Sequence, residues 1–347
     1  MPINVLVVDD SAFMRRAISK MLEGESEIVV CGTARNGEDA IQKAAQLKPD
    51  VITMDVEMPG IGGLEAVRQI VSAEKVPIIM VSSLTREGAE TTFRALDLGA
   101  VDFIPKPDSA YVDIKNVARD LIAKVRVFAR RRPDPPTVPT QASGLPRRHS
   151  RDRFECVALG TSTGGPVALS RIIPKIPADF PIPIVVVQHM PAGFTRPLAE
   201  RLDAQSRLHV VEGQPGMVLR AGCVVVVPAG KQLSLARSGA EVEVRLVEDG
   251  GHSLHVPSVD VMVDEVAQTY GARSLGVILT GMGNDGVAGL RALKAKGGYV
   301  VGQDEASSVV YGMPRAAAAA GLVDRVAALD DIPPLLCELT NTPFARS

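Results

Sequence analysis

Five polar residues in the first third of the chain sit where a parallel sheet would gather them at one edge. Asp9 and Asp10 follow an apolar run at 3–8, and Asp55 ends another in VITMDVEMPG (51–60). Ser82 follows PIIMV (77–81), and Lys106 closes the run at 101–104 inside PKP. Carboxylates crowded at one edge repel each other unless a hard cation joins them, and Mg²⁺ with one or two carboxylates and a phosphate is a common solution. The Ser82 hydroxyl suits a phosphoryl oxygen, and the Lys106 ammonium suits added negative charge. Singly, each residue has a plainer reading. Asp-Asp at a strand end is commonly a turn or a helix cap, and Lys106 alone would be a surface lysine. Five residues gathered at four strand ends, each with a fitting role, make coincidence a poor account.

A second group could carry acyl transfer. Gly160-Thr161-Ser162-Thr163-Gly164 lies between an apolar strand (156–159) and a predicted helix, which is the G-x-S-x-G nucleophile-elbow pattern in its required context. A glycine-rich phosphate-binding turn is the competing reading, because helix N-termini attract anions. Of the five histidines, His189 alone directly ends a strongly apolar strand, in PIVVVQHMPAGF, where a general base would stand. His209 in RLHVVEG reads as a strand residue. His252 and His255, in GGHSLHVPSVD, read as loop residues that touch substrate or cap a turn. Asp285 in LGVILTGMGNDGVAGL stands at the mouth of a strand–loop–helix unit. It fits an acid that orients the histidine, and equally a helix N-cap. The chain order Ser–His–Asp differs from the Ser–Asp–His order of α/β-hydrolases, so the elbow does not imply that fold.

The elements that must position these residues form two sets. Apolar runs at 3–8, 28–31, 51–54, 77–81 and 101–104 alternate with amphipathic stretches, the pattern of a parallel sheet covered on both faces. Five such units predict a flavodoxin-like, doubly wound domain over 1–130. The segment 131–152 (RRPDPPTVPTQASGLPRRHSRD) is rich in Pro, Ser, Thr and Arg and reads as a solvated linker, with His149 inert within it. Runs at 156–159, 183–187, 223–227 and 275–279 predict a second α/β domain over 153–347 with a mostly parallel, doubly wound sheet. EVEVRLV (241–247) alternates, which predicts an antiparallel, half-exposed member of that sheet.

Composition narrows the function classes. A net charge of -2, no Trp and 3% aromatic residues argue against nucleic-acid surfaces and stacking platforms. Four scattered cysteines with no CxxC pair argue against a zinc site and fit reduced thiols. No apolar run nears the roughly 20 residues of a membrane span, and no signal peptide opens the chain, so a cytoplasmic protein with no membrane insertion is expected. A DNA-binding output domain would need a basic recognition helix, whereas the second half is strand-rich, glycine-rich and not notably basic. A non-catalytic adaptor would leave Ser162, His189 and Asp285 unexplained.

The first domain resembles the response-regulator receiver family. Asp9, Asp10, Asp55, Ser82 and Lys106 fall on that family's acidic pocket, phosphoacceptor, switch hydroxyl and lysine, with Ser82 where many receivers carry Thr. The resemblance implies that Asp55 takes a phosphoryl group from a chemotaxis histidine kinase while Asp9, Asp10 and Asp55 hold Mg²⁺. It also implies a cis peptide at Lys106–Pro107. The second domain resembles the chemotaxis protein-glutamate methylesterase family, CheB, over GTSTGGP, QHMPAGFT, HVPSVDV, LTGMGNDG and QDEASSVVYGMP. That resemblance implies Ser162 as nucleophile, His189 as base and Asp285 as its orienting acid, with the Thr163 and Met282 N–H groups as the oxyanion hole. It implies methyl-accepting chemoreceptors as substrates, hydrolysis of their glutamyl methyl esters and deamidation of their glutamines. It also implies that the unphosphorylated receiver occludes Ser162. No cofactor is expected for the esterase, and a monomer is expected. Val256 stands where Arg would be expected, which puts a polar substrate contact there in doubt.

Overall fold

The computed structural model describes residues 2–106, 114–129 and 154–344. These form two compact units, each with its own sheet. The predicted linker and the Lys106–Pro107 bond lie outside the described residues.

In the first unit, β1 (Ile3–Val8), α1 (Ala12–Leu22), β2 (Ile28–Ala34), α2 (Gly37–Leu47) and β3 (Val51–Asp55) follow in order. Then come α3 (Gly62–Glu74), β4 (Ile78–Ser82), α4 (Arg86–Asp97), β5 (Asp102–Pro105) and α5 (Ile114–Ala129). The sheet order is β2-β1-β3-β4-β5, all parallel, as the flavodoxin-like expectation requires. Every residue of β3 and β4 is buried, which explains why these strands read as continuous apolar runs. The helices begin on local caps: the Ser11 hydroxyl accepts from the Met14 N–H, and the Asn36 side chain accepts from the Asp39 N–H.

In the second unit, β6 (Cys156–Thr161), α6 (Gly165–Ile172), β7 (Ile184–Gln188), α7 (Thr195–Gln205), β8 (His209–Glu212) and β9 (Cys223–Val226) come first. The hairpin β10 (Gln232–Ser238) and β11 (Glu241–Val247) follows, then α8 (Val259–Tyr270), β12 (Ser274–Ile278) and α9 (Val287–Ala295). The unit closes with β13 (Tyr299–Gln303), α10 (Met313–Ala319), β14 (Arg325–Ala327) and α11 (Ile332–Thr340). Its main sheet has the order β14-β13-β12-β6-β7-β9-β8 and is parallel throughout.

This corrects the reading of 241–247. That strand is antiparallel and half-exposed, but it pairs with β10 in a separate two-stranded sheet. Its buried residues Val242 and Val244 join Leu233 of β10 in one core cluster with Val259, Met262 and Val266 of α8. Alternation reports one buried face, and here a helix covers that face. Three strands, β10, β13 and β14, were absent from the sequence reading, while β8 begins at His209, which was read there as a strand residue. The adjacency that matters for function is β12-β6-β7, because it sets three carboxyl ends side by side.

Candidate active site

The first unit brings all five predicted residues to one edge. Asp9 and Asp55 are buried, Asp10 is exposed, and one carboxylate oxygen from each lies within 4.8 Å of the others. The Lys106 ammonium bonds Asp55 Oδ2 at 2.9 Å and lies 3.9 Å from Asp9 Oδ2. Burial, then repulsion from Asp55, pushes the Asp9 carboxyl up to about 6. Burial also raises Asp55, although the Lys106 hydrogen bond and charge oppose it. Asp9 Oδ2 is buried without a hydrogen-bond partner. Three hard oxygen donors, one of them unpartnered, fit a divalent cation such as Mg²⁺. Ser82 Oγ donates to Gly88 O at 3.1 Å and accepts from Thr92 Oγ1 at 2.7 Å, so the hydroxyl is tied to α4.

In the second unit, Ser162 follows β6 and His189 follows β7, in strands whose last paired residues are Thr161 and Gln188. Asp285 lies in the loop between β12 and α9. His189 Nε2 meets Asp285 Oδ2 at 2.7 Å, with the two side chains only 9% and 10% exposed. His189 Nδ1 is buried and has no hydrogen-bond partner. Ser162 itself is half-buried, less open than its place at a helix head suggested. Gly164 turns the chain at φ +76°, and a Cβ there would come within 2.4 Å of Val309. Glycine is therefore required twice over at that position.

The backbone around Ser162 is committed in a definite way. Its N–H donates to Thr280 O at 3.0 Å, and its carbonyl accepts from the Gly165 N–H at 2.8 Å. Thr161 Oγ1 also donates to Thr280 O, at 2.8 Å, while Thr280 Oγ1 donates to Thr163 O at 2.9 Å. The Ser162 N–H is thus occupied and is not available as an oxyanion donor.

The Asp285 carboxylate is held from several sides. Besides His189, it accepts from Ser258 Oγ at 2.9 Å and from the N–H groups of Val259 and Asp260 at 2.8 and 2.9 Å. Burial alone would raise this carboxyl. The His189 bond and charge and the two backbone donors outweigh it and hold Asp285 well below the usual carboxylate range. Asp285 does not cap its own helix; it caps α8, the helix preceding β12. The N-cap reading of Asp285 is thus corrected: its carboxylate accepts from the first N–H groups of α8, a helix earlier in the chain, and not from those of α9.

Ser162 and His189 follow adjacent strands and His189 pairs with Asp285, but no hydrogen bond joins Ser162 Oγ to His189 Nδ1. Residues 157–336 match the model of the CheB methylesterase family, and residues 5–115 match the response regulator receiver domain. The chain belongs to the CheB methylesterase family. A Lawsonia intracellularis protein named protein-glutamate methylesterase/protein-glutamine glutaminase is 44% identical over 344 residues, covering 94% of this chain and 96% of that one. A Nitratidesulfovibrio vulgaris protein of the same name, numbered 2, is 44% identical over 95% of this chain and 97% of its own. The solved catalytic domain of Thermotoga maritima CheB methylesterase is similar at 41% identity with a TM-score of 0.53, covering 54% of this chain and 98% of that one.

Gln232 and Asp260 went unread in the sequence, and His255 was read only as a loop residue. His255 stacks on His189, with ring centroids 4.1 Å apart and planes at 16°. Gln232, buried on β10, donates to Asp249 Oδ1 and His255 O and accepts from the Ser258 N–H, so it anchors the loop that carries His255. Asp260 accepts from the Gly286 and Gly289 N–H groups at 2.9 and 2.8 Å. The S-x-D spacing of Ser258 and Asp260 was the available signal for a capping function, although nothing local names the loop being capped. Val256, the departure from the expected Arg, lies in the same loop. Among the described residues, no helix is long and apolar enough to cross a membrane.

Proposed function

We propose that this protein is a phosphorylation-regulated serine hydrolase that removes methyl groups from glutamyl esters of chemoreceptors during chemotactic adaptation, and deamidates receptor glutamines at the same site. The observation that carries the catalytic reading is His189, paired through Nε2 to Asp285 at 2.7 Å with Nδ1 buried and unpartnered. Asp285 fixes the tautomer and stabilises the imidazolium, which leaves Nδ1 as the base. His189 takes the Ser162 proton, and Ser162 Oγ attacks the ester carbonyl. The oxyanion rests on the Thr163 and Met282 N–H groups, each such donor being worth about 3–4 kcal/mol. His189 returns the proton to the leaving methanol, and water activated by His189 then releases the glutamate. Ammonia replaces methanol as the leaving group when glutamine is the substrate.

In the receiver, spanning 1–130 and joined by the linker 131–152 to a catalytic domain over 153–347, Asp55 is the phosphoacceptor and a chemotaxis histidine kinase the donor. Asp9, Asp10 and Asp55 would hold Mg²⁺, which neutralises incoming phosphoryl charge when bound. Lys106 and Ser82 then engage the phosphoryl oxygens. The test is methanol release from methylated receptor membranes, with and without a small phosphodonor. Ser162→Ala should abolish release and leave Asp55 phosphorylation intact, whereas Asp55→Asn should abolish only the response to phosphodonor. Normal turnover by Ser162→Ala would remove the nucleophile assignment.

A further inference from the structure

Gln188, the last residue of β7, is 2% exposed and lies beneath the turn that carries Ser162. Its Nε2 donates to Ser162 O at 2.9 Å and to His189 O at 2.8 Å. A side-chain amide has two N–H donors, and both are engaged here by carbonyls of the two reacting residues. The opposite amide orientation would set Oε1 against two carbonyl oxygens, so the hydrogen-bond network fixes this one.

We propose that Gln188 is a positioning residue for the hydrolytic site: it sets the peptide plane that presents the Thr163 N–H to the oxyanion and ties that plane to the backbone of His189. The inference rests on the serine-hydrolase reading above. The Ser162 carbonyl and the Thr163 N–H belong to one planar peptide unit and point in opposite directions, so holding the oxygen aims the hydrogen. Two donors hold that oxygen, Gln188 Nε2 and the Gly165 N–H. The Thr163 carbonyl is held in turn by Thr280 Oγ1 at 2.9 Å. Both peptide units around the donor are therefore pinned.

Room for the amide is made at a cost elsewhere. A Cβ at Gly165 would lie 1.8 Å from Gln188 Oε1 and 2.6 Å from Thr161 Oγ1. Gln188 Oε1 is itself buried without a hydrogen-bond partner. An unpaired buried polar atom is unfavourable, and an apolar side chain of similar size would fill the space without that penalty. The unpaired Oε1 is offset by the two hydrogen bonds that Nε2 makes to the Ser162 and His189 carbonyls.

The experiment replaces Gln188 in the full chain with Met, which keeps the size and removes both donors. It measures kcat, KM and the affinity for a glutamyl trifluoromethyl ketone, whose carbonyl carbon accepts Ser162 Oγ to give a tetrahedral oxyanion. The expected result is a kcat roughly 10- to 100-fold lower, below the loss for deleting a donor outright. KM should stay within about threefold, and ketone affinity should fall by the same factor as kcat/KM. Unchanged kcat, or a lower kcat with unchanged ketone affinity, overturns the proposal. Asp55 phosphorylation and far-UV circular dichroism verify folding, and Gln188→Leu, which also lacks both donors, supplies the same comparison where the Met variant does not fold. Ser162→Ala is assayed in parallel. If it keeps turnover and ketone binding, the hydrolase reading fails, an outcome separate from failure of the Gln188 assignment.

Discussion

Asp260 and Asp285 hold each other in place: the Asp260 N–H donates to Asp285 Oδ1 at 2.9 Å, while Asp260 Oδ1 accepts from the N–H of Gly286, the residue after Asp285, at 2.9 Å. Each carboxylate sits at the start of the other's helix, α8 for Asp285 and α9 for Asp260. Burial and the charge of Asp285 raise the Asp260 carboxyl, against the pull of the Gly289 and Gly286 N–H groups. The carboxylate that pairs with His189 is thus fixed by a second acid.

Asp260→Ala should therefore act at a distance from the reacting atoms. It strips the Gly286 and Gly289 N–H groups of their acceptor, with an expected stability loss of about 1–2 kcal/mol. Asp285 then drifts, and kcat should fall roughly 10- to 100-fold, as small misplacements of catalytic groups do. Asp260→Asn keeps an acceptor oxygen and should recover most of both. Urea unfolding and steady-state kinetics on the same preparations check this.

Asp285→Asn tests the tautomer argument. An amide at this position no longer fixes the His189 proton, and kcat should drop by about 10⁴ with the fold retained. The pH dependence has a defined sign. Because the folded Asp285 carboxyl lies below its unfolded value near 4, its stabilising contribution is fully present above about pH 4 and is lost as pH falls toward the folded value. Urea midpoints between pH 3 and 7 should show that acid-side slope in the native chain and less of it in Asp285→Asn.

Asp9 predicts the opposite slope in the receiver. Its folded carboxyl at about 6 exceeds the unfolded value of 3.8, so the ionised form destabilises the metal-free fold. That penalty is fully present above about pH 6 and vanishes as pH falls below about 4, with a size on the order of 3 kcal/mol. In EDTA, Asp9→Asn should raise the receiver's Tm at pH 7 and leave it nearly unchanged at pH 4. Added Mg²⁺ should raise the native Tm at pH 7 and leave that of Asp9→Asn little altered.

Removing residues 1–152 should raise basal esterase activity severalfold and abolish the response to phosphodonor. A truncated enzyme no faster than the full chain would count against restraint by the receiver. Methanol release on equal molar amounts of both forms decides it.

Strand ends carried most of the information in the sequence. Asp9, Asp55, Ser82, Lys106, Ser162 and His189 each follow or end a buried apolar run, and such runs are visible because both sheet faces are covered. Residues that act through a neighbouring loop leave no comparable trace. Gln188 looks like one more polar residue after four apolar ones, and Gln232 opens a hairpin strand far from Ser258 in sequence. Their functions depend on which carbonyl or N–H the fold brings near, and periodicity does not encode that. The hairpin β10–β11 shows the same limit: alternation reported a buried face but not whether a strand or a helix covers it. Strand β14 has only three residues, too few for a pattern.

The hydrolytic centre is assembled from chain segments that are distant in sequence. Thr161 meets Thr280 across 119 positions, and His189 meets Asp285 across 96. Contacts of that span pay their loop-closure entropy before they return any stabilisation, and parallel pairings are slow for the same reason. The pairing of β12 with β6 is thus the step that fixes the Ser162 turn against Thr280 and brings the Asp285 loop to His189. During refolding or synthesis, helical signal and compactness should recover first. Hydrolytic competence should return last, when the final central strand docks.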